Sequence, residues 1–381
     1  MRKLLIILFI SLLCLADAKP KKKKSSGCNK PSSTSQHPPY PTKPKDIMYY
    51  VQFNNDFTFV DEVLNYLQYF ICISFNRQYS RVPGIGINFL RTKMKSNVTL
   101  SKNTYTPTNV YLLPNDFYDK KKVLYYVGLA LGLTPEIKRY DRDSYVSVFS
   151  RNIRKDNKTY YEKTKCKTKY STGFDYGSVM LLSPYYGSIT KERAYRTKLE
   201  PYYDKMIEKT KIFSLNDLKK LYYMYCNGTC KALSNQCLNG GYPDIFCHHC
   251  ECTMPFMDWN CGGIRRNRSP SCGDKQELLS KSTENTVKIE NINKACYYKI
   301  TSSNSKKVTV TIKKVNFSNS SMCDDKNGLF INYHSDKGLT PLHICDNDAT
   351  VKIPPLSSTV YISFRVNNGN NVLHFSYKDG K

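Results

Sequence analysis

The sequence predicts a multidomain chain: an α+β domain over about 46–226, a small disulfide-rich module over about 227–262 and an all-β sandwich over about 272–378. Three observations carry this reading. Strand-like and helix-like periodicities alternate through the first region. Six cysteines crowd the stretch from Cys230 to Cys261. After Cys272, short alternating apolar runs recur with turn residues between them. A chain of 381 residues is also too long for a single core.

The chain opens with Met1-Arg2-Lys3, an apolar run from Leu4 to Leu15, and Ala16-Asp17-Ala18. This order reads as a secretory signal peptide over 1–18. The run is too short to span a bilayer, and no later segment has the roughly 18 uninterrupted apolar residues a transmembrane span needs. A secreted, extracellular product is expected. Residues 19–45 are rich in Lys, Pro and Ser and form a basic arm with little apolar surface to bury.

Fifteen cysteines occur, and Cys14 leaves with the signal. The remaining even number in an oxidising compartment points to disulfides. Six N-x-Ser/Thr sequons fit the same route: Asn97, Asn157, Asn227, Asn267, Asn316 and Asn319. Each predicts a surface position if it is used. The net charge of +27 points outside the cell to acidic glycans rather than nucleic acid. A lysine-rich surface without a dedicated partner gives the same composition, because the lysines are dispersed.

From Asp46 the elements follow in order. Met48 to Phe53 alternates as a strand. Val60, Val63, Leu64, Leu67 and Ile71 sit at helical spacing, so a helix is expected over 59–71. Strands follow at 71–75, 85–90 and 110–113. A second helix is expected from about Lys121 to Leu131, with Gly132 ending it. A third runs from Leu215 to Tyr225, with Ser214 and Asp217 placed as a capping box. Beyond Cys272, strands are expected at 287–289, 297–300, 308–312, 329–333 and 360–366.

The stretch Tyr125 to Val146 reads YYVGLALGLTPEIKRYDRDSYV. It resembles the signature of the astacin family of zinc proteases, HExxHxxGxxHExxRxDRDxYV. Gly132, Glu136, Arg139, Asp141, Arg142, Asp143, Tyr145 and Val146 match it. Asp175 to Met180 resembles the family's Met-turn, and Ser214 to Cys226 resembles the helix that closes its protease domain. Three matches in the right order imply the family's α+β (metzincin) scaffold over 46–226. The resemblance also implies zinc held by three histidines, with a glutamate as general base.

Those functional positions are changed. The first histidine position holds Tyr125, the glutamate position Tyr126, the second histidine position Leu129 and the third Pro135. The tyrosine that follows the family's Met-turn is Leu182. No histidine occurs between His37 and His248. Tyr125 and Leu129, one helical turn apart, offer a phenol and an isobutyl group where two imidazoles are needed. No cofactor is therefore expected. Arg139, Asp141, Arg142 and Asp143 read as ion-paired scaffold, and Met180 as an apolar floor. In the family, the residue matching Glu136 binds the new N-terminus of the activated enzyme.

The resemblance also implies a bridge Cys72–Cys226. The run from Cys230 to Cys261, with Asn239-Gly240-Gly241-Tyr242 inside, resembles an EGF-like module, which implies Cys230–Cys247, Cys237–Cys250 and Cys252–Cys261. A metal site from His248, His249 and nearby cysteines is the rival reading. Cys272, Cys296, Cys323 and Cys345 fit a CUB domain, with pairs Cys272–Cys296 and Cys323–Cys345. Asp324, Asp325 and Asp346 are its acidic residues that a calcium site would draw on. Cys28 and Cys166 are left over, and a bridge between them is one reading.

This order of domains resembles secreted astacins of nematodes. The first functional reading is a secreted astacin-like pseudoprotease that binds extracellular proteins or peptides. The second is an active zinc metalloendopeptidase with a non-standard site, for which Glu136, Asp141, Asp143 and Asp175 are candidate ligands. The third is a polyanion- or glycan-binding adhesion protein driven by the basic arm and the net charge.

Overall fold

The computed structural model describes residues 46–380, apart from 53–57, 104, 168–169, 227, 319–323 and 325. The expected signal peptide and basic arm lie outside the described residues, as do Cys28, Cys323 and Asp325. Among the described residues, no helix is long and apolar enough to cross a membrane.

Alternate residues of β1 (Asp46–Val51) are buried: Ile47, Tyr49 and Val51. That pattern places β1 inside a sheet with one face on a core. It pairs in parallel with β2 (Ser74–Gln78) and β3 (Gly86–Arg91). β3 pairs in parallel with β5 (Thr108–Leu112), and β4 (Asn97–Thr99) closes the edge antiparallel to β5. Helices α1 (Phe59–Leu67) and α2 (Lys120–Ala130) pack together over this sheet's core.

The first helix ends at Leu67 rather than Ile71, and β2 begins at Ser74 rather than Ile71. Ile71 and Ile73 are apolar because they are buried in the turn between the two elements. The Gln68 side chain fixes that turn by accepting the Phe75 N–H at 2.8 Å. Gly132, at φ 93°, ends the second helical segment in the left-handed region.

The lower half of the domain is mostly irregular. It carries the short pair β6 (Val146–Val148) and β7 (Tyr195–Thr197), then α3 (Tyr202–Lys209) and α4 (Leu215–Tyr225). α3 was not expected from the sequence. Its N-terminal turn carries no capping side chain, and its buried residues are only Tyr203, Asp204, Met206 and Ile207. Cys72 joins Cys226 across 154 residues, tying the end of α4 to the chain between α1 and β2.

The small module holds the two-stranded pairs β8 (Tyr242–Pro243) with β9 (Cys250–Glu251) and β10 (Phe256–Met257) with β11 (Gly263–Ile264). Its bridges are Cys230–Cys247, Cys237–Cys250 and Cys252–Cys261. With every one of those thiols in a disulfide, His248 and His249 have no thiolate beside them to complete a metal site.

The sandwich follows. One sheet has the order β12 (Glu277–Ser280), β14 (Cys296–Ser302), β19 (Thr359–Arg365), β16 (Gly328–Asn332), β17 (Leu342–Ile344). The other has β13 (Asn285–Ile292), β20 (Asn371–Asp379), β15 (Val308–Asn316), β18 (Val351–Ile353). Cys272–Cys296 staples its entry. Cys166 and Cys345 are also disulfide-bonded, and the partners expected for them, Cys28 and Cys323, lie outside the described residues. Asp346 is ion-paired with Lys205 at 2.6 Å, and Asp324 accepts backbone N–H groups of Lys326 and Asn327 at 2.8 Å.

The sandwich and the lower half of the α+β domain share one apolar core, which runs from Ile137, Phe174 and Tyr195 into Tyr298, Leu329 and Phe364. Tyr176 stacks on Tyr203 with ring centres 3.8 Å apart. The Tyr203 hydroxyl meets the Tyr333 hydroxyl and lies 3.3 Å from His334 Nε2. Phe256 of the small module meets Tyr361 of the sandwich edge-on at 4.8 Å.

One sequon corrects the surface expectation. Asn157 is only 3% exposed, and Gly187 packs against its side chain so closely that a Cβ there would lie 2.6 Å from Asn157 Cβ. Asn97 is exposed. Glycopeptide mass spectrometry of the protein expressed through a secretory pathway should therefore find Asn157 unoccupied; a glycan there would contradict this packing.

Candidate functional site

α2 carries the first three family ligand and base positions. Its N-cap Asp119 accepts the Lys122 N–H at 3.2 Å. Val123, Leu124, Tyr125, Tyr126 and Val127 are all buried, so the helix is wrapped on several sides. Gly128 lets α2 approach the floor of the site: a Cβ there would lie 2.5 Å from Met180 Sδ. Met180 is thus directly beneath the helix, with Glu136 N–H bonded to its carbonyl at 3.1 Å.

Where zinc would sit, the structure places aromatic rings. Tyr125 meets Tyr126 at 5.2 Å and Tyr160 at 6.3 Å, both edge-on. Tyr160 in turn packs edge-on against Tyr161 at 4.8 Å and Tyr186 at 4.9 Å. Tyr125, Tyr126, Pro135 and Leu182 are buried, and Leu129 packs against the same core. The polar tips are used by the backbone. Tyr126 donates to Ser96 O at 3.1 Å, Tyr161 to Tyr186 O at 2.6 Å and Tyr195 to Leu182 O at 2.6 Å. Leu182 N–H donates to the Tyr160 hydroxyl at 3.2 Å.

These residues do not fit zinc. The set contains no imidazole, thiolate or carboxylate, and leucine and proline side chains have no donor atom. Burial pushes the Tyr125 phenol well above its ordinary range, so the phenolate that could bind a metal is disfavoured. Burial and the neighbouring Tyr186 and Asp116 also push Tyr126 up, away from any role as a base near neutral pH.

The scaffold half of the motif is engaged throughout. Arg139 pairs with Asp141 at 2.8 Å and reaches the Thr172 carbonyl at 3.0 Å. Arg142 pairs with Asp143 at 3.0 Å and donates to the carbonyls of Ile137 and Tyr161. Lys163 pairs with Asp143 at 2.5 Å. Asp175 accepts the Gly177 N–H at 3.0 Å. The four carboxylates considered as alternative ligands are thus engaged by other partners. No cluster of three or more metal-binding side chains exists among the described residues.

Sequence reading missed two features. One is the tyrosine lock itself, since Tyr160, Tyr161, Tyr186 and Tyr195 lie far from the motif in sequence. The 31 tyrosines of the chain were the only available signal. The other is Lys220. Its Nζ lies 2.6 Å from Glu136 Oε1, with both side chains buried. Arg139 Nε is 3.6 Å from the other Glu136 oxygen. Burial alone would pull Lys220 down, but Glu136 and Asp217 outweigh it and the net shift is upward, so the ammonium persists.

Asp217 extends this network. Besides capping α4, it accepts the Ser178 hydroxyl at 2.6 Å and the Val179 N–H at 3.2 Å, so it holds the Met-turn. Asp175 N–H reaches Glu136 Oε2 at 3.3 Å, and Thr340 N–H from the sandwich reaches Asp175 Oδ1 at 3.3 Å. Burial, then the charges of Asp217 and Glu136, push Asp175 up to about 7.

The residues that carry this geometry match a known family. Residues 42–226 match the model of the Astacin peptidase family, and this part of the chain is an astacin-family domain. Among curated relatives, "Zinc metalloproteinase nas-34" of Caenorhabditis elegans is 30% identical over 259 residues, covering 67% of this chain and 42% of that protein. "Zinc metalloproteinase dpy-31" of Brugia malayi is 32% identical over 163 residues, covering 42% of this chain and 27% of that protein. The chain therefore spans less than half the length of either. Among solved structures, High choriolytic enzyme 1, a hatching enzyme zinc-protease from Oryzias latipes, is 20% identical with TM-score 0.40, covering 48% of this chain and 89% of that one.

The buried network can be probed at Lys220 and at Asp175. Lys220→Met should destabilise the fold by about 3–5 kcal/mol, because it strands the Glu136 carboxylate. Pairing it with Glu136→Gln should recover most of that loss in denaturant unfolding. Asp175 bears on pH. A carboxyl whose pKa rises on folding contributes stability that is complete below its unfolded value of about 4. That stability is lost as pH rises through about 7. Asp175→Asn should flatten the dependence of Tm on pH across this window; an unchanged slope would remove Asp175 as its source.

Proposed function

We propose that this protein is a secreted, catalytically inactive astacin-like protein that binds extracellular proteins or peptides rather than cutting them. One observation carries the reading: the metal end of the cleft is filled by Tyr125, Tyr126, Leu129, Pro135 and Leu182 within a tyrosine lock. Hydrolysis by this family's chemistry needs a zinc-activated water and a carboxylate base, and neither can be built from these side chains. No cofactor is expected.

The binding half of the reading rests on what the cleft keeps. β4 is the outer strand of its sheet, with Asn97 and Thr99 exposed. Among the described residues its outer edge has no backbone partner, and such an edge can pair with an extended chain. The small module, read as EGF-like, and the sandwich, read as CUB-like, supply further surface for contacts outside the cell.

The competing reading is a zinc endopeptidase with a non-standard site, and the names of the relatives favour it. Zinc content separates the two. After equilibration with zinc and removal of free metal, the secreted protein should hold well below one zinc per chain. A full equivalent that survives dialysis, together with chelator-sensitive cleavage of casein, would establish the protease instead.

A further inference from the structure

Away from the cleft, a cavity of about 840 Å³ opens where the small module meets the sandwich. That volume lies within the range of small-ligand and oligosaccharide sites. Arg265, Arg266, Arg268 and Lys294 line it. All four are exposed, and none makes an ion pair with a described residue. Three guanidinium groups within four consecutive positions, with no ion pair to a described residue, make the local potential positive and favour an anion there.

The segment that carries the arginines is fixed. Gly263 and Ile264 pair with Met257 and Phe256, and Arg265 N–H bonds to Pro255 O at 3.2 Å. Gln276 accepts the Asn267 N–H at 3.2 Å and donates to Arg265 O at 2.5 Å. The Asn267 side-chain oxygen Oδ1 accepts the Tyr297 N–H at 2.7 Å. The bridges of Cys261 and Cys272 anchor the two ends. A backbone held this way presents its charges with no backbone ordering cost at binding, leaving only the cost of fixing the side chains.

The lining also contains two carboxylates. Glu277 is 3.4 Å from Lys299, and Asp258 lies beside Gly263. Both would repel an acidic peptide, but both can accept hydrogen bonds from sugar hydroxyls. The planar fork of arginine suits the oxygens of a sulfate.

We propose that this cavity binds sulfated glycan chains through Arg265, Arg266 and Arg268, with Lys294 at its rim. The site is separate from the cleft, so the proposal stands whether or not the cleft is inactive.

Arginine footprinting tests it on the full secreted protein. Hydroxyphenylglyoxal labelling, read by mass spectrometry, is compared with and without a heparin octasaccharide at about 0.15 M salt. Protection should centre on Arg265, Arg266 and Arg268; lysines of residues 19–45 do not register in this readout. R265E/R266E/R268E should weaken heparin binding by about tenfold or more, whereas K93E/K102E/K326E, with the same charge change, should weaken it by less than about threefold. Absence of protection, or equal losses in the two variants, would overturn the proposal. Equal protection by poly-glutamate would assign the site to an acidic protein. A glycan attached at Asn267, which lines the cavity, would also overturn it.

Discussion

A single buried ion pair organises the lower half of the α+β domain. Glu136 has no exposed surface, and an ionised carboxylate in that position is untenable without a cation and hydrogen-bond donors. Lys220 supplies the cation from α4, Arg139 lies beside the second oxygen, and Asp175 N–H completes the set. Three segments distant in sequence therefore have to meet at one point: the turn after α2, the Met-turn and the closing helix. The sandwich attaches to the same point through Thr340 and Asp175. Gly177 has no Cβ, which leaves room for the Thr340 side chain to rest against it.

In the family, that carboxylate receives the ammonium of a newly cut N-terminus. Here an internal lysine occupies it, so the network is complete within the folded chain. The filled metal end is consistent with this. A vacant zinc site lined by apolar groups would forfeit packing contacts, whereas tyrosine rings fill the space and place their hydroxyls on nearby carbonyls. Tyr126, Tyr161 and Tyr195 each do so. Dispersion and hydrogen bonding thereby hold this end of the cleft together.

The three modules share cores and contacts, so their surfaces are held in fixed register. Phe256 against Tyr361 and Tyr203 against Tyr333 and His334 are the joints. Burial, then Lys337, pulls His334 down to about 4, which keeps it neutral at that joint across the physiological range. The arginine-lined cavity exists only because the small module and the sandwich meet at this angle. Neither part alone encloses it.

The sequence by itself determined what is local. Periodicity located β1, β3, α2 and most sandwich strands within a few residues, and Ser214 with Asp217 marked the start of α4, because alternation and capping depend on near neighbours. The identities at 125, 126, 129, 135 and 182 were enough to argue against the family's zinc chemistry, since a ligand must carry a donor atom. Tertiary structure decided the rest. Nothing in the neighbouring sequence marks Lys220 for burial, yet it is buried because Glu136 lies opposite it. Asn157 reads as a surface sequon, yet Gly187 buries it. The tyrosine lock draws Tyr125, Tyr160, Tyr186 and Tyr195 from separate segments. No local pattern encodes those meetings: they follow from which surfaces the whole chain can bury together.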